Sequence, residues 1–295
     1  MNLNEPMKVL MKVLITGASS KIGSKLIASL KTKEVEIVAL THRQTIDKSI
    51  KQVPVDISDL TGLCKSVKDV DVVIHLAALT HSHDQKKYFQ INHAGTKNLI
   101  EACQKNNIRK FIFVSTRSIG QEAGAYGYSK YLAEQEVKKS GLDWIIFRPS
   151  EAYGLGGKES IDRLINECKQ NLIVPIPGNG SYLLSPVYYQ DIVDVLVKAI
   201  TAPQGYQKTY TVCGPQSYQY KKLAKLIAKT LNRKKIYVYI PLFLLKFISL
   251  FKIFFYQDQV PRLTAEKLTD ISELKNDYGY EPINIISYLN QIKND

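Results

Sequence analysis

Cysteine is scarce in this chain of 295 residues, and its cysteines are far apart. No two of them form a Cys-x-x-Cys pair, so the sequence predicts neither a disulfide framework nor a zinc site built from such pairs. The four are scattered along the chain: Cys64, Cys103, Cys168 and Cys213. We expect reduced thiols in a cytoplasmic protein.

Histidine is almost as rare, with five residues, and only His81 and His83 lie close together, beside Asp84. Two histidines at this spacing in a polar loop have no fixed common face, and no further ligand follows nearby. No metal site is therefore predicted. We interpret the loop as the rim of a pocket.

Long hydrophobic runs are also missing. The apolar stretch at 9–15 is interrupted by Lys12 and leads directly into a glycine turn, so no secretory signal peptide is predicted. A later apolar segment, 241–256, is shorter than the roughly 20 residues that a transmembrane helix needs. Two interpretations of it stay open: a helix packed against the core or a partner copy, and a helix in the interface at the inner face of the membrane.

Acidic residues are outnumbered, with 27 Asp and Glu against 40 Lys and Arg, which gives a net charge of +13. Such an excess predicts an anionic partner or an anionic surface. Lysines occur over the whole length, and no basic stripe is interleaved with aromatic residues, so nucleic acid is not an expected partner. A phosphorylated small molecule fits better, as does a peripheral contact with the membrane surface.

The chain does contain a regular alternation of short apolar strands and helical segments. Strands are predicted at 12–16, 35–40, 53–56, 71–76, 110–115 and 144–148, and helices at 22–30, 58–67, 91–106 and 126–140. This alternation predicts an α/β fold, a Rossmann-type doubly wound parallel sheet with a smaller C-terminal substrate lobe. The dinucleotide-binding domain is predicted at 7–150, with 186–213 returning to it. The stretches 151–185 and 214–295 would form the substrate lobe.

Tyr126 and Lys130 lie four residues apart in a helical segment, so both side chains share one face. The ammonium can stabilise a phenolate and lower the tyrosine pKa from about 10 toward neutrality, which suits an acid/base for interconverting alcohols and ketones. The glycine turn at 16–23 would bind the hydride carrier. A second pair with this spacing, Tyr218 and Lys222, is interpreted as part of a surface helix, because it lacks the first pair's place in the order of elements.

Ten short segments carry a resemblance to a known family. They are Thr16–Gly23, Val55–Asp56, His75–Ala78, Asn92–Leu99, Val114–Thr116, Tyr126–Lys130, Arg148–Ser150, Pro177–Gly180, Val187–Asp191 and Leu274–Pro282. In this order they resemble the extended short-chain dehydrogenases/reductases of the NAD-dependent epimerase/dehydratase family. The resemblance implies an NAD(P)-dependent enzyme.

The resemblance also assigns roles to residues. It implies catalysis by Thr116, Tyr126 and Lys130, with Thr116 preferred over its neighbour Ser115 as the hydroxyl that holds the substrate oxygen. Cofactor contacts are implied for Gly17, Ser19, Ser20, Lys21, Ile22, Gly23, Thr41, Arg43, Asp56, Ile57, Leu76, Ala77, Ala78, Asn92, Val114, Tyr126, Lys130, Pro149 and Ser150. Substrate contacts are implied for Thr80, Ser115, Thr116 and Arg262.

The choice of cofactor depends on the end of the second predicted strand. NAD-specific members have an acid there for the ribose 2′-hydroxyl. This chain instead continues as Thr41-His42-Arg43, and the guanidinium of Arg43 can pair with a 2′-phosphate. The residues therefore favour NADP, whereas the epimerase resemblance favours NAD.

Two departures from the family pattern bear on the substrate. Members that act on nucleotide sugars have an arginine shortly before the segment at 187–191, but 181–185 contains no cation, which leaves Arg262 as a candidate for that contact. The stretch between Thr116 and Tyr126 is shorter than usual. Arg117 and Ser118 within it offer no acid for a dehydration.

The main functional hypothesis is an epimerase like the UDP-hexose 4-epimerases, acting on a nucleotide-activated sugar by tyrosine-assisted hydride transfer. An NADPH-dependent reductase or dehydrogenase of an apolar alcohol or ketone stays open, because the absent arginine suits such a substrate. A non-catalytic dinucleotide-binding subunit is the third hypothesis, and the intact Thr116, Tyr126 and Lys130 argue against it. The expected assembly is a homodimer.

Overall fold

The computed structural model describes residues 10–42, 46–157, 160–250, 259–265 and 269–293, apart from the side chains of residues 246, 248–250 and 259. Its strands, in chain order, are β1 Met11–Thr16, β2 Val35–Thr41, β3 Lys51–Pro54, β4 Val72–His75, β5 Lys110–Val114, β6 Asp143–Pro149, β7 Ala152–Tyr153, β8 Ile173–Pro177, β9 Leu183–Leu184, β10 Val187–Tyr188, β11 Lys208–Val212, β12 Tyr218–Gln219 and β13 Ile236–Ile240. Seven of these strands form one sheet in the order β11-β6-β5-β4-β1-β2-β3.

Helices alternate with the strands of this sheet. They are α1 Lys21–Leu30, α2 Leu60–Ser66, α3 Lys86–Tyr88, α4 Gly95–Lys105, α5 Gly124–Lys139, α6 Ser160–Gln170, α7 Tyr189–Thr201, α8 Tyr220–Thr230, α9 Leu242–Leu250, α10 Gln259–Thr264, α11 Ser272–Tyr278 and α12 Ile285–Lys293. None in the described part of the chain is long and apolar enough to cross a membrane.

Every neighbouring pair of strands in the large sheet is parallel. The central strands are buried on both faces, and successive residues alternate between two cores: Val13 and Ile15 pack on one side of the sheet, and Leu14 packs on the other. This is the side-chain period of a strand covered by helices on both faces. The predicted Rossmann-type doubly wound sheet is confirmed.

The register of the sheet brings functional segments to one edge. Thr16 at the end of β1 is paired with His75 at the end of β4 and with Leu40 in β2. The residues that follow these strands therefore line the carboxyl edge of the sheet, where ligands of open α/β sheets bind.

A smaller lobe has its own hydrophobic core. Buried residues of α6, α8 and α12 pack there with the two-stranded sheet of β8 and β13. Strand β11, from the stretch 186–213, adds to the large sheet beside β6. The domain boundaries themselves stay a prediction.

Two elements differ from their predicted bounds. The third strand ends at Pro54 and not at Asp56, because its register against β2 pairs Lys51 to Pro54 with Val38 to Thr41. The single helix predicted at 91–106 is divided into a π-helical segment, Phe89–Ala94, and α4. The wider turn of a π-helix is common near functional sites, and this one contains Asn92.

Candidate active site

The turn after β1 brings backbone atoms of two strand ends unusually close together. Gly17 has φ of +68°, and a Cβ on it would lie 2.6 Å from the backbone nitrogen of Ala77, after β4. A Cβ on Gly23 would lie 2.4 Å from the carbonyl oxygen of Gly17. Glycine alone fits both positions. The result is an open backbone cradle at the carboxyl edge of the sheet.

Ser20 stands where the family has its middle glycine, and its backbone is unstrained. With φ of −69° and ψ of 160° it is extended and caps helix α1, its hydroxyl accepting a hydrogen bond from the Gly23 nitrogen at 3.0 Å. No acidic residue lies in the first turn of α1. The positive end of the helix dipole therefore faces the cradle without an acidic side chain to neutralise it, which favours an anion such as a pyrophosphate.

Buried polar side chains join the ends of β1 and β4. His75 is fully buried and lies 2.6 Å from the Thr16 hydroxyl through Nδ1 and 2.9 Å from the Thr96 hydroxyl through Nε2. Burial, with a contribution from the Lys130 charge, holds the pKa of His75 well below its ordinary value, so the ring is neutral. Ala77 donates its N–H to the Thr16 hydroxyl at 3.1 Å. These hydrogen bonds hold the ends of β1 and β4 together and so fix the wall of the cradle. In the sequence, the histidine at the end of an apolar strand indicates this polar set.

The predicted cofactor contacts Asp56 and Ile57 lie just after β3. Asp56 accepts hydrogen bonds from the nitrogen and hydroxyl of Ser58 at 2.8 and 2.6 Å, and its other oxygen lies 3.1 Å from Nδ1 of His42. Ile57 packs against the core between the sheet and its helices. Arg43, on which the predicted NADP preference depends, lies outside the described residues.

Asn92 lies beneath the site and not on its surface. It is fully buried, its amide oxygen accepts from the Leu79 nitrogen at 2.7 Å, and its amide nitrogen donates to the Leu79 carbonyl and the Ser129 hydroxyl at 3.1 and 3.0 Å. Its contact with the cofactor stays a prediction. Asn92 holds the segment after β4 against α5 and so positions the helix that carries Tyr126.

Lys130 is a buried cation beneath the carboxyl edge of the sheet. It is 1% exposed, its ammonium donates to the Val114 carbonyl at 2.9 Å, and it lies 4.0 Å from the Phe113 ring centroid. Burial lowers its pKa to about 7, although the nearby Glu134 carboxylate opposes the shift. Arg148 binds that carboxylate through two hydrogen bonds. Lys130 can therefore change its charge near neutral pH.

Tyr126 lies on α5 one turn before Lys130 and is 8% exposed. The guanidinium carbon of Arg262 is 3.8 Å from the centroid of its ring, and the Tyr88 ring meets it edge-on at 6.0 Å. Arg262 also donates to the carbonyl of Thr80. The structure thus brings the predicted substrate residues Thr80 and Arg262 to the tyrosine.

Thr116 and Ser115 follow β5 and differ in their surroundings. The Thr116 hydroxyl is half-buried and accepts from the Ser118 nitrogen at 3.2 Å. The Ser115 hydroxyl is buried and has no hydrogen-bond partner within the described ranges. The short stretch leading to α5 is tied to α10, because the Ser118 hydroxyl donates to the Arg262 carbonyl at 3.3 Å. Helix α10 therefore packs beside the stretch that leads to α5.

A buried ion pair, not predicted from the sequence, links this loop to the smaller lobe. Arg117 is 4% exposed and donates to Glu151 and to the Ser185 hydroxyl, both at 2.7 Å. Ser185 belongs to the stretch 181–185, which contains no cation, and Arg117 is the cation that contacts it in the folded chain. Because Glu151 already neutralises Arg117, we assign the pair a structural role next to Ser150, whose hydroxyl donates to the Ser185 carbonyl.

The second Tyr-x-x-x-Lys pair is not on one helix, so its interpretation as a surface helix was wrong. Tyr218 belongs to strand β12, which pairs with β9, and α8 begins at Tyr220, before Lys222. Residues four positions apart share a face only when both lie in one helix, and Tyr218 lies in a strand. Tyr126 and Lys130 both lie within α5 and share such a face.

Comparisons with known proteins agree with this geometry. The model of the NAD dependent epimerase/dehydratase family matches residues 13–214. A UDP-glucose 4-epimerase of Vibrio cholerae is 26% identical over 92% of this chain and 90% of its own length. A 2-alkyl-3-oxoalkanoate reductase of Stenotrophomonas maltophilia is 26% identical over 60% of this chain and 62% of its own.

Among solved structures, a UDP-glucuronic acid 4-epimerase of Bacillus cereus, in complex with UDP-glucuronic acid and NAD, has the same fold. Its TM-score is 0.77 at 21% identity, with 96% of this chain and 98% of that chain covered. The family match extends over more than half of the chain and includes the glycine cradle, β5 and the helix of Tyr126 and Lys130. The chain is an enzyme of the NAD-dependent epimerase/dehydratase family, within the extended short-chain dehydrogenases/reductases.

Proposed function

We propose that this protein is an NAD(P)-dependent 4-epimerase of a nucleotide-activated hexose, similar in reaction to the UDP-hexose 4-epimerases. The observation that carries the proposal is the placement of Tyr126 and Lys130 on one face of α5, with the Lys130 ammonium bonded at the end of β5. Thr116 follows that same strand end. The similarity to the Vibrio cholerae UDP-glucose 4-epimerase along most of both chains supports the choice of substrate class.

The residues present fit a dinucleotide. Gly17 and Gly23 form a cradle that any side chain would fill, and the α1 N-terminus with its Ser20 cap faces an anion there. Ser19, Lys21 and Ile22 complete this turn, and the wall after β4 is formed by Leu76, Ala77 and Ala78. Pro149 and Ser150, at the end of β6, would back the nicotinamide, which supplies a hydride acceptor and donor when bound.

Each proposed catalytic residue has a distinct task. Tyr126 removes the proton from the sugar hydroxyl at C4 as that carbon is oxidised, and it returns the proton when the ketone is reduced from its other face. Thr116 holds the same oxygen by a hydrogen bond. The charges of Lys130 and Arg262 favour the phenolate of Tyr126 over the phenol. Inversion at C4 follows if the keto sugar rotates between the two half-reactions.

The proposal is tested by incubating the purified protein with UDP-glucose, UDP-galactose and their N-acetylated counterparts, and by separating the products chromatographically. We expect interconversion of at least one pair without added reductant, since an epimerase regenerates its cofactor. Mass spectrometry of nucleotides that copurify would identify the bound dinucleotide directly. Stoichiometric consumption of NAD(P)H without an epimeric product would overturn the proposal.

Cofactor preference is the first prediction. We propose that NADP is preferred, because Arg43 follows β2 where NAD-specific members have an acid. Arg43→Ala is expected to weaken NADP binding by about 1.5–3 kcal/mol, the range for hydrogen bonds to a charged group, and to leave NAD binding nearly unchanged. Titration with both dinucleotides measures this, and Lys48→Ala, an exposed cation between β2 and β3, is the control. Equal losses for the two dinucleotides would show that Arg43 does not bind the 2′-phosphate.

Arg262 is the subject of the second prediction. Its guanidinium lies over the Tyr126 ring and is held by the Thr80 carbonyl, so we propose that it also contacts the anionic part of the substrate. Arg262→Met is expected to raise KM by roughly tenfold or more, as when a charged hydrogen bond to substrate is lost. Arg262→Lys should recover part of this loss. Steady-state kinetics with both variants is the measurement, and a KM and kcat both unchanged in Arg262→Met would limit Arg262 to packing.

A second candidate function is an NADPH-dependent reductase of an apolar ketone. It is favoured by the stretch 181–185, which has no cation for a diphosphate, and by the similarity to the Stenotrophomonas maltophilia 2-alkyl-3-oxoalkanoate reductase. The same Tyr126 would then donate a proton to the ketone oxygen. Net oxidation of NADPH by aliphatic or alicyclic ketones, with no effect of nucleotide sugars, would establish this alternative.

A further inference from the structure

The positive charge of the chain is concentrated in one segment. No Asp or Glu occurs from Val195 to Gln257, whereas eleven Lys and Arg residues do. The rest of the chain carries 29 basic and 27 acidic residues, so it is nearly neutral. The excess charge of +13 therefore belongs almost entirely to a part of the chain that contributes α8, β13 and α9 to the smaller lobe.

The cations of this segment are arranged along exposed surfaces. Lys222, Lys225 and Lys229 are exposed on α8 at a spacing that puts them on one side of the helix, while Leu223 and Ile227 face the core. Arg233 and Lys234, also exposed, follow directly and lead into β13. The ammonium of Lys225 lies 5.8 Å from the centroid of the Tyr237 ring, which packs against the core of the lobe, so α8 lies on the covered side of β13.

The sheet of β8 and β13 is apolar on both faces, and among the described residues only one of these faces is covered. Val174 and Ile176 are fully buried in the core of the lobe. Side chains alternate across a strand, and the opposite face exposes Ile173, Ile236 and Val238 at 53, 54 and 44%. Ile173 and Ile236 are register partners, so they form one continuous apolar strip.

Helix α9 extends this apolar area. It begins two residues after β13 and lies against the turn after β8, because a Cβ on Gly178 would be 2.9 Å from Leu242. Leu245 is buried, whereas Phe243 and Leu244 are 74 and 40% exposed. The described part of α9, Leu242–Leu250, has an apolar surface suited to lie along a bilayer.

We propose that this surface docks the protein on an anionic lipid bilayer. The docking surface comprises the exposed apolar residues Ile173, Ile236, Val238, Phe243 and Leu244 with the cations Arg233 and Lys234, which directly precede β13. Apolar side chains enter the boundary between headgroups and acyl chains, and lysines and arginines meet the lipid phosphates. A second copy is a poorer occupant, since two segments with eleven cations and no acids would repel each other.

Cosedimentation with vesicles tests the proposal on the full chain. We expect binding to vesicles of phosphatidylcholine and phosphatidylglycerol, little binding to phosphatidylcholine alone, and a loss of binding as salt is raised, because the electrostatic part is screened. Failure to sediment with anionic vesicles at low salt overturns the proposal. The activity of the site is measured separately, so the epimerase proposal stands or falls independently.

Two variants separate lipid docking from other anionic partners. Phe243→Ser combined with Val238→Ser should reduce binding at least about tenfold by removing apolar contacts. Arg233→Gln with Lys234→Gln should reduce it by about tenfold or more by removing two charges, each worth about 1 kcal/mol near an anionic surface. Lys65→Gln with Lys68→Gln, exposed cations beside α2, and Tyr131→Ser, an exposed aromatic on α5, are the matched controls and should bind normally.

Thermal unfolding and the enzymatic rate without vesicles confirm that each variant is folded. A loss with the Arg233→Gln and Lys234→Gln variant only, together with equal competition by duplex DNA, would show nonspecific binding to polyanions and overturn the proposal. A concentration-dependent dimer that the Phe243→Ser and Val238→Ser changes dissociate would assign the surface to a second copy and also overturn it.

Discussion

Tyr126→Phe is expected to lower kcat by about 10²–10⁴-fold, the range for loss of a general acid/base, and to leave dinucleotide affinity nearly unchanged. The phenol oxygen is the only atom removed, and in the proposed mechanism it acts on the substrate proton. The ring remains, so its contacts with Tyr88 and Arg262 persist and the fold should be preserved. Single-turnover and steady-state rates with the preferred sugar nucleotide are the measurement.

The matched control is Tyr128→Phe, two residues along the same helix. Its ring meets Phe89 edge-on and stacks on Tyr131, and it lies on another side of α5 from Lys130. This variant should keep its activity. If Tyr126→Phe retains more than about a tenth of the wild-type rate, Tyr126 is not the acid/base and the proposed mechanism is wrong.

Lys130→Met is expected to reduce turnover by roughly a hundredfold or more and to weaken dinucleotide binding as well. The ammonium stabilises the Tyr126 phenolate in the proposed mechanism, and the family uses this lysine to bond the nicotinamide ribose. The loss of both functions distinguishes this variant from Tyr126→Phe, which should change turnover alone. Dinucleotide titration together with kinetics separates the two effects.

Lys130 also makes the stability of the protein depend on pH. Burial lowers its pKa from 10.5 to about 7, so the unfolded chain binds this proton more tightly than the folded protein does. The cost of burying the ammonium is present in full below pH 7 and is relieved as pH rises from about 7 toward 10.5. The wild-type protein should gain free energy of unfolding over this interval relative to Lys130→Met.

Denaturant unfolding of both proteins between pH 6 and 10 measures this difference. Lys139→Met, at an exposed position on the same helix, is the control for loss of a lysine away from this buried group. Parallel curves for wild type and Lys130→Met would show that Lys130 has an ordinary pKa in the folded protein. The buried ammonium would then not be a source of pH-dependent stability.

The sequence by itself determined the features that depend on local pattern. Apolar runs with the periods of strands and helices predicted the doubly wound sheet, because burial on both faces requires such runs. The turn from Gly17 to Gly23 predicted the cradle, and the spacing of Tyr126 and Lys130 predicted their common helix face. Each of these depends on residues within a few positions of one another.

The tertiary structure alone decided the features that join distant parts of the chain. Arg262 reaches Thr80, 182 residues away, and covers the Tyr126 ring, while Arg117 joins Glu151 and Ser185 in a buried ion pair. The low pKa of Lys130 depends on burial, which helix spacing does not reveal. The exposed strip along β8 and β13 also arises only after folding. Both strands are apolar on two faces in sequence, and packing of the lobe core decides which face is covered and which remains in contact with solvent.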